Sequence, residues 1–535
     1  MPLNYGDILD AVAPLRASQT AISSDEGELS WGEFDRRSNA LARGLMERGA
    51  VAGDKICFLL FNGAQYLELL AACFKARLVH VNANFRYLAS ELDHILENSD
   101  SKILVYDWRL AETVAKISAQ RRASILLIQV GGVAGADGAV AYEAVVHGQE
   151  TSPLKIERSP DDLIFIYTGG TTGQPKAVMW PHRSQIIGLL GSAITDGSFP
   201  QTVGELVARL DDPKAYLRPL ITSPLMHASG LYAAITTLCN GGHIIVTDNS
   251  GPFDGAHHWA LVDRYRADSI SLVGDTFAKP MLAALEEGEF DGGSVRLIGS
   301  SGVMWSRDVK LGLLQLLPQV MLYDALGSSE SMGLGSSIMT AAGETKTATF
   351  KIGPSTKVFA ADEREIAPGS GEAGYIARSG PMPLGYYKDD AKTAAAFRTI
   401  AGERYIVPGD LCTVDADGTI HLLGRGSNCI NSGGEKIFPE EVEEALKLHP
   451  DIADALVFGL PDPQWGSAVQ AVVRPEPGRS AEGEDLRDYL RGIIARYKVP
   501  KKIAVSQERL RLANGKPDYN GAKLVFSAYW ETGAD

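Results

Sequence analysis

Strand and helix signals alternate through the first hundred residues, and this rhythm limits the possible folds more than any other feature of the chain. Ser30 and Glu33 form a capping box, and Phe34, Leu41 and Leu45 follow at helical spacing. The apolar run from Lys55 to Leu60 reads as a buried strand, with a helix from about Gln65 to Ala76 after it. Leu78 to Val81 fits the next strand, a helix capped by Ser90 comes next, and Ile103 to Tyr106 is strand again. Such units predict parallel sheets covered by helices, and the same rhythm returns at His243–Val246 and Arg296–Ile298.

At 535 residues the chain exceeds what one core usually serves, so two or more domains are expected. Past about residue 350, turn-rich stretches such as APGSGEAGYIARSG separate short strands, which suits a β-rich subdomain. From Pro439 the order becomes helix, strand, strand, helix, strand, a small α+β module. The expected class is therefore α/β: a large N-terminal domain of parallel-type sheets with covering helices over 1–427, and a small α+β domain over 428–535.

Fifty-one basic against 66 acidic side chains give a net charge of −15, which argues against general nucleic-acid binding. The five cysteines are scattered, with no CxxC pair, and fit a reducing compartment better than a disulfide framework. The N-terminus has no basic segment followed by an apolar run, and no stretch approaches the roughly 18 apolar residues of a membrane span. A cytoplasmic location without stable membrane insertion is expected.

The chemistry concentrates in IFIYTGGTTGQPKAVMWPH, residues 164–182. A buried strand runs into Thr168, Gly169, Gly170, Thr171, Thr172 and Gly173, and Lys176 lies just beyond. Glycines let backbone N–H groups approach an anion, hydroxyls add donors, and the lysine adds charge, so phosphate is the natural guest. The loop is not a Walker motif, because Gln174 and Pro175 follow Gly173 where that motif needs Lys and then Ser or Thr. In YDALGSSE, Ser328, Ser329 and Glu330 offer oxygen ligands suited to Mg²⁺, although alone they suit a helix cap equally well. Asp410 follows a Pro-Gly turn, Arg425 ends a strand, and Lys516 lies in a C-terminal loop. Each is unremarkable by itself.

Taken in order, Tyr167–Lys176, Pro224–Gly230, Gly327–Glu330, Asp410, Arg425 and Lys516 resemble the motif set of the adenylate-forming superfamily, over nearly the whole chain. That superfamily contains acyl-CoA synthetases, peptide-synthetase adenylation domains and firefly luciferase. The resemblance implies ATP, Mg²⁺ and coenzyme A, with a hydrophobic carboxylic acid, fatty or bulky, as the small-molecule substrate and a homodimer as a compatible assembly. It implies that Thr168, Thr171, Thr172 and Lys176 cradle the β- and γ-phosphates, with Gly169, Gly170 and Gly173 shaping the loop. Glu330 would hold Mg²⁺ and Ser329 would contact phosphate. Asp410 and Arg425 would serve the ribose, Lys516 would bridge the reacting oxygens, and His227 would lie near the entering carboxylate. Ser301 and Gly302 would join the nucleotide site. Asn428 occupies the hinge about which a mobile C-terminal domain would rotate, and Gly433 and Gly434 would line the channel for the pantetheine arm.

Several positions depart from the common family pattern. Gly169 stands for a frequent serine, Met226 for an aromatic before His227, and Leu326 for an aromatic under adenine. Ser300–Trp305 replaces a Gly-Ala turn. SSGVMWS with ALGSSE resembles bacterial acyl-CoA synthetases that include enzymes for steroid-side-chain carboxylates. The segment 271–285 is the expected acyl-pocket wall, and Asp275 within it has no evident role. Transfer to a carrier protein, a non-catalytic nucleotide- or acyl-binding role and luciferase-like oxidation are the alternatives.

Overall fold

The computed structural model describes residues 1–133, 138–168, 175–191, 200–212, 216–288, 290–302, 305–343, 349–425, 430–432, 435–462, 466–494, 496–512 and 515–531. They form two compact units, one of Met1–Thr347 with Ser379–Ile406, the other of Ala348–Arg378 with Val407–Asp535. The units are thus drawn differently from the 1–427 and 428–535 division, whose break falls in 426–429, outside the described residues.

The first unit opens with helix Tyr5–Arg16, followed by a hairpin of β1 (Thr20–Ser24) and β2 (Gly27–Ser30). β3 (Lys55–Leu59), β4 (Val79–Asn82), β5 (Ser101–Asp107), β6 (Leu126–Val130), β7 (Val140–Ala141), β8 (Leu163–Thr168) and β9 (Lys176–Pro181) build one sheet in the order β7-β6-β5-β3-β4-β8-β9. All its pairings are parallel except β8 with β9. β10 (Pro219–Ile221), β11 (Ile244–Val246), β12 (Ser269–Leu272), β13 (Leu297–Ser301), β14 (Met321–Leu326) and β15 (Gly335–Met339) form a second sheet with the hairpin, ordered β2-β1-β11-β10-β12-β13-β14-β15. It is antiparallel only at its two ends.

Side-chain alternation explains the layering. Ile56, Phe58, Ile164 and Ile166 from the first sheet and Ile221, Ile244 and Val246 from the second join one central core with helices Tyr5–Arg16, Trp31–Glu47 and Ala64–Lys75. Their neighbours Cys57, Leu59, Phe165 and Tyr167 face a second core, and Leu220 and Ile245 a third. Strands buried on both faces read as continuous apolar runs, as the sequence of β3 does. The capping box at Ser30 is present, with Glu33 N–H donating to Ser30 Oγ at 3.2 Å and Ser30 N–H donating to Glu33 Oε2 at 2.9 Å. Ser90, in contrast, is not a cap: the helix spans Ala89–Ser99, and Glu91 reaches back to the N–H of Leu88 at 2.8 Å.

In the second unit, antiparallel pairs link Thr356–Phe359 to Gly374–Arg378, that strand to Asp410–Val414, and that in turn to Thr419–Arg425. A three-stranded sheet of Ile452–Asp462, Gly466–Pro475 and Lys502–Val505 carries helices Pro439–Lys447 and Gly483–Arg491 against a core of Val442, Leu446, Val457 and Leu486. A C-terminal helix, Tyr519–Glu531, was not anticipated. Cys57, Cys73, Cys239 and Cys412 are buried free thiols. Among the described residues no helix is long and apolar enough to cross a membrane.

Two buried histidines of the first unit make its stability pH-dependent. His80 Nδ1 bonds to the Phe165 carbonyl at 3.2 Å and Nε2 to the Tyr66 hydroxyl at 3.0 Å, which suits a neutral ring. His182 is fully buried between Tyr5 and Phe74, its nitrogens without hydrogen bonds among the described residues. Burial pulls both imidazoles down to about 3 from an ordinary 6.5. Below the ordinary value the unfolded chain takes up protons that the folded rings refuse. Stability should then fall by about 1.4 kcal/mol per pH unit for each histidine, until the folded rings also titrate. Urea unfolding across this range should show a decline shallower by that amount in His182→Phe; a decline parallel to wild type would refute the assignment.

Candidate active site

The edge of the first sheet turns the phosphate-loop sequence into a hairpin connection. Thr168 ends β8 and lies directly opposite Lys176, which begins β9. Residues 169–174, with Gly169, Gly170, Thr171, Thr172 and Gly173, join them and lie outside the described residues. Strand–loop–strand differs from the strand–loop–helix of a Walker site, in keeping with the displaced lysine. The Lys176 ammonium stands 5.2 Å from the ring centroid of Tyr386. Its pKa is lowered chiefly by burial and then by the neighbouring Lys392, against the opposing charges of Asp389 and Glu330. Lys392 itself pairs with Asp389 at 3.2 Å.

Residues 384–387 pair with the outer edge of β9. Leu384 N–H donates to Met179 O at 2.8 Å, Met179 N–H to Gly385 O at 3.0 Å, and Tyr387 N–H to Ala177 O at 2.9 Å. Tyr386 thereby reaches the turn after β14, where its hydroxyl donates to Glu330 Oε1 at 2.9 Å. Ser328 organises that turn: its hydroxyl accepts from the N–H groups of Glu330 and Ser331 at 3.3 and 3.2 Å. The Ser329 carbonyl accepts from Trp180 Nε1 at 2.8 Å and from the Tyr232 hydroxyl at 3.3 Å. Thr168, Lys176, Ser329 and Glu330, which are far apart in sequence, are thus assembled by β9 and its partners.

His227 begins helix Ala228–Cys239 at its N-cap. Asn82, at the end of β4, ties this turn to β8: its amide donates to Tyr167 O at 3.0 Å and to Met226 O at 2.8 Å, and its carbonyl accepts from Tyr167 N–H at 2.7 Å. Gly230 is needed for close approach, since a Cβ there would lie 2.5 Å from the Pro224 carbonyl oxygen. Met226 is buried. Ser301 ends β13, paired with Ala325 of β14, and Gly302 follows it. Gly302 has φ +88°, a left-handed conformation suited to glycine. Asp275, unexplained from sequence, accepts from Ser306 N–H at 2.9 Å at the start of helix Arg307–Leu316.

In the second unit, Asp410 and Arg425 sit directly opposite each other on paired strands. Lys516 is exposed, on a loop whose base is closed by a bridge between Arg511 and Pro517 and by Leu512 N–H donating to Lys516 O at 2.9 Å. Arg511 grips Asp454 with two bonds of 2.8 Å. Asn428, Gly433 and Gly434 lie outside the described residues. The sequence reading missed Tyr386, Lys392, Trp180, Tyr232 and Asn82. Trp180 was within the quoted motif, whereas Tyr386 had no local signal beyond its Gly-Tyr-Tyr setting.

These donors fit a magnesium nucleotide. Among the described residues no three His, Cys, Asp or Glu side chains cluster to hold a metal by themselves. The Tyr386 hydroxyl engages one Glu330 oxygen, leaving a carboxylate oxygen for a cation that takes its other ligands from phosphate and water. The chain matches the family model of the AMP-binding enzyme over residues 9–387 and that of the AMP-binding enzyme C-terminal domain over 441–516. It belongs to the AMP-binding enzyme family and is an enzyme of that class. Among individual relatives, it is 38% identical to a 3-oxocholest-4-en-26-oate--CoA ligase of Rhodococcus rhodochrous, over 98% of this chain and 96% of that one. It is 36% identical to a medium/long-chain-fatty-acid--CoA/3-oxocholest-4-en-26-oate--CoA ligase of Mycobacterium marinum, over 97% and 96% respectively. The fold matches that of the anthranilate CoA ligase AuaEII in complex with anthranoyl-AMP, with a TM-score of 0.83 at 20% identity, covering 100% of this chain and 99% of the other.

Asn82 supplies a direct test of the site's scaffold. Asn82→Ala strands two buried carbonyls and one N–H, and should cost about 2–4 kcal/mol in urea unfolding. A loss below about 1 kcal/mol would mean that these bonds do not hold the β8 and His227 segments together.

Proposed function

We propose that this enzyme is an ATP-dependent acyl-CoA ligase that activates a hydrophobic carboxylic acid, fatty or as bulky as a steroid side chain, and transfers it to coenzyme A. The observation that carries this reading is the joining of Lys176, Tyr386 and Glu330 at the mouth of the phosphate hairpin. End-to-end likeness to ligases named for steroid-side-chain and fatty acids supports the substrate class.

In the first half-reaction a carboxylate oxygen attacks the α-phosphorus of ATP and pyrophosphate leaves. Thr168, Thr171, Thr172 and Lys176 hold the β- and γ-phosphates, and Gly169, Gly170 and Gly173 let backbone N–H groups approach them. Ser329 contacts phosphate, and Ser301 and Gly302 border the nucleotide. Glu330 would hold Mg²⁺, which would offset charge building on the leaving pyrophosphate. Asp410 and Arg425 bind the ribose, His227 faces the entering carboxylate, and Lys516 neutralises the reacting oxygens. In the second half-reaction the CoA sulfur, its proton lost, attacks the acyl carbon and AMP leaves. A C-terminal domain, 428–535, turns about Asn428 between the two steps, and Gly433 and Gly434 leave room for the pantetheine arm. The protein works in the cytoplasm, without nucleic acid or membrane insertion, and a homodimer is compatible with this reading.

The deciding experiment offers fatty, aromatic and steroid-side-chain acids and follows ATP-dependent pyrophosphate release and CoA-thioester mass together. Both products are expected for one hydrophobic acid class. Adenylate without thioester would redirect the acyl group to a carrier protein, and neither product from any hydrophobic acid would overturn the reading. Lys516→Ala should slow adenylation by about 10²–10³, as loss of other electrostatic donors does. An unchanged rate removes Lys516 from the chemistry. Asn428→Pro should slow thioester formation far more than adenylation, and equal slowing of both counts against a hinge.

A further inference from the structure

We propose that Tyr386 is a positioning residue that presets both charges of the phosphate site, holding Glu330 by its hydroxyl and Lys176 by its ring. The proposal rests on the reading above, in which Glu330 and Lys176 serve the metal and the phosphates.

Two sets of contacts fix the backbone of Tyr386 from different directions. Its backbone is held against β9 by the bonds of Leu384, Gly385 and Tyr387 and by an antiparallel bridge to Val178. Its own N–H donates to Thr393 Oγ1 at 2.9 Å, and Thr393 in turn donates to Asp389 O at 2.8 Å. Gly385 makes this possible: a Cβ there would sit 2.4 Å from Thr393 Cγ2, and its φ is +150°. A side chain anchored this way brings its hydroxyl to Glu330 without losing further freedom on binding.

The two contacts do different work. The hydroxyl donates to one Glu330 oxygen at 2.9 Å, which fixes the rotamer of the carboxylate and keeps its charge unneutralised. The ring face holds the Lys176 ammonium at 5.2 Å by cation–π attraction, which is weaker than an ion pair and yields readily to phosphate. A tyrosine between a lysine and a glutamate therefore keeps cation and anion organised for an external ligand rather than for each other.

Phenylalanine and leucine separate these functions. Calorimetric titration of the full-length protein with ATP, in EDTA and in excess magnesium, reads both without turnover. In Tyr386→Phe the gain in ATP affinity on adding magnesium should shrink about tenfold, the worth of one hydrogen bond to a charged group, while metal-free binding holds. In Tyr386→Leu metal-free binding should also weaken, by about two- to fivefold. Thermal unfolding identifies any variant that is merely misfolded, and Tyr386→Phe, which keeps the ring, is the decisive one. An intact magnesium gain in Tyr386→Phe, or equal weakening with and without metal, overturns the positioning role. Glu330→Gln separates this failure from that of the underlying reading. If Glu330→Gln abolishes the magnesium gain and Tyr386→Phe does not, only the role of Tyr386 falls. If Glu330→Gln leaves the gain intact, the metal site itself is wrongly assigned and the proposal falls with it.

Discussion

The double pairing of β9 is the constraint on which the candidate site depends. One edge of the strand is zipped to β8 from Pro181 to Lys176, and the other is taken by residues 384–387. A strand paired on both edges has no freedom to slip, because a shift of one residue would turn its buried side chains outward. The register therefore determines that Lys176 opposes Thr168 and that Tyr387 pairs at Ala177, which leaves Tyr386 beside the lysine. Trp180 extends the same control to the next sheet by donating to the Ser329 carbonyl. The glycine-rich segment 169–174 is entered from Thr168 and left at Lys176, and these pairings fix both of those residues.

Charge follows from that geometry. Lys176 and Lys392 are close enough to depress the pKa of Lys176, with burial the larger cause, and Asp389 and Glu330 offset part of the strain. Lys392 is paired with Asp389, which leaves Lys176 as the ammonium whose charge a polyphosphate would best complement. The phenol of Tyr386 and the main-chain bonds of the Ser328 turn supply dipoles already aimed, and aligned dipoles cost little reorganisation when a highly charged ligand arrives.

Features encoded by local pattern were legible in the sequence. The alternation in β3 and β8, the capping box at Ser30, and the order of helices and strands after Pro439 each depend on neighbours within a few residues. Ser90 misled because a capping box can work through its glutamate alone: Glu91 satisfies the N–H of Leu88, whose side chain offers no oxygen. Tyr386 and Asn82 were invisible because their partners are set by tertiary pairing that no local signal records. Asp275 looked misplaced beside an apolar segment only because the N–H it satisfies, that of Ser306, belongs to a different helix start. The motif residues were legible as an ordered set, while their roles came from resemblance and not from spacing.

The second unit shows how an exposed lysine can nevertheless be accurately presented. Glu443 is buried, accepting from Val457 N–H at 2.9 Å and from the Tyr519 hydroxyl at 3.0 Å, and burial pushes its carboxyl up to about 8. Tyr519 begins the helix just after Lys516, and Arg511 precedes the loop with its guanidinium clamped on Asp454. Both ends of the Lys516 loop are therefore tied by buried polar contacts to the same three-stranded sheet, although the lysine itself points outward. A buried polar network is costly when half satisfied and rigid when complete. Here it ties down the loop that carries the lysine of the proposed chemistry, and a purely apolar core would have held that loop by packing without directing it.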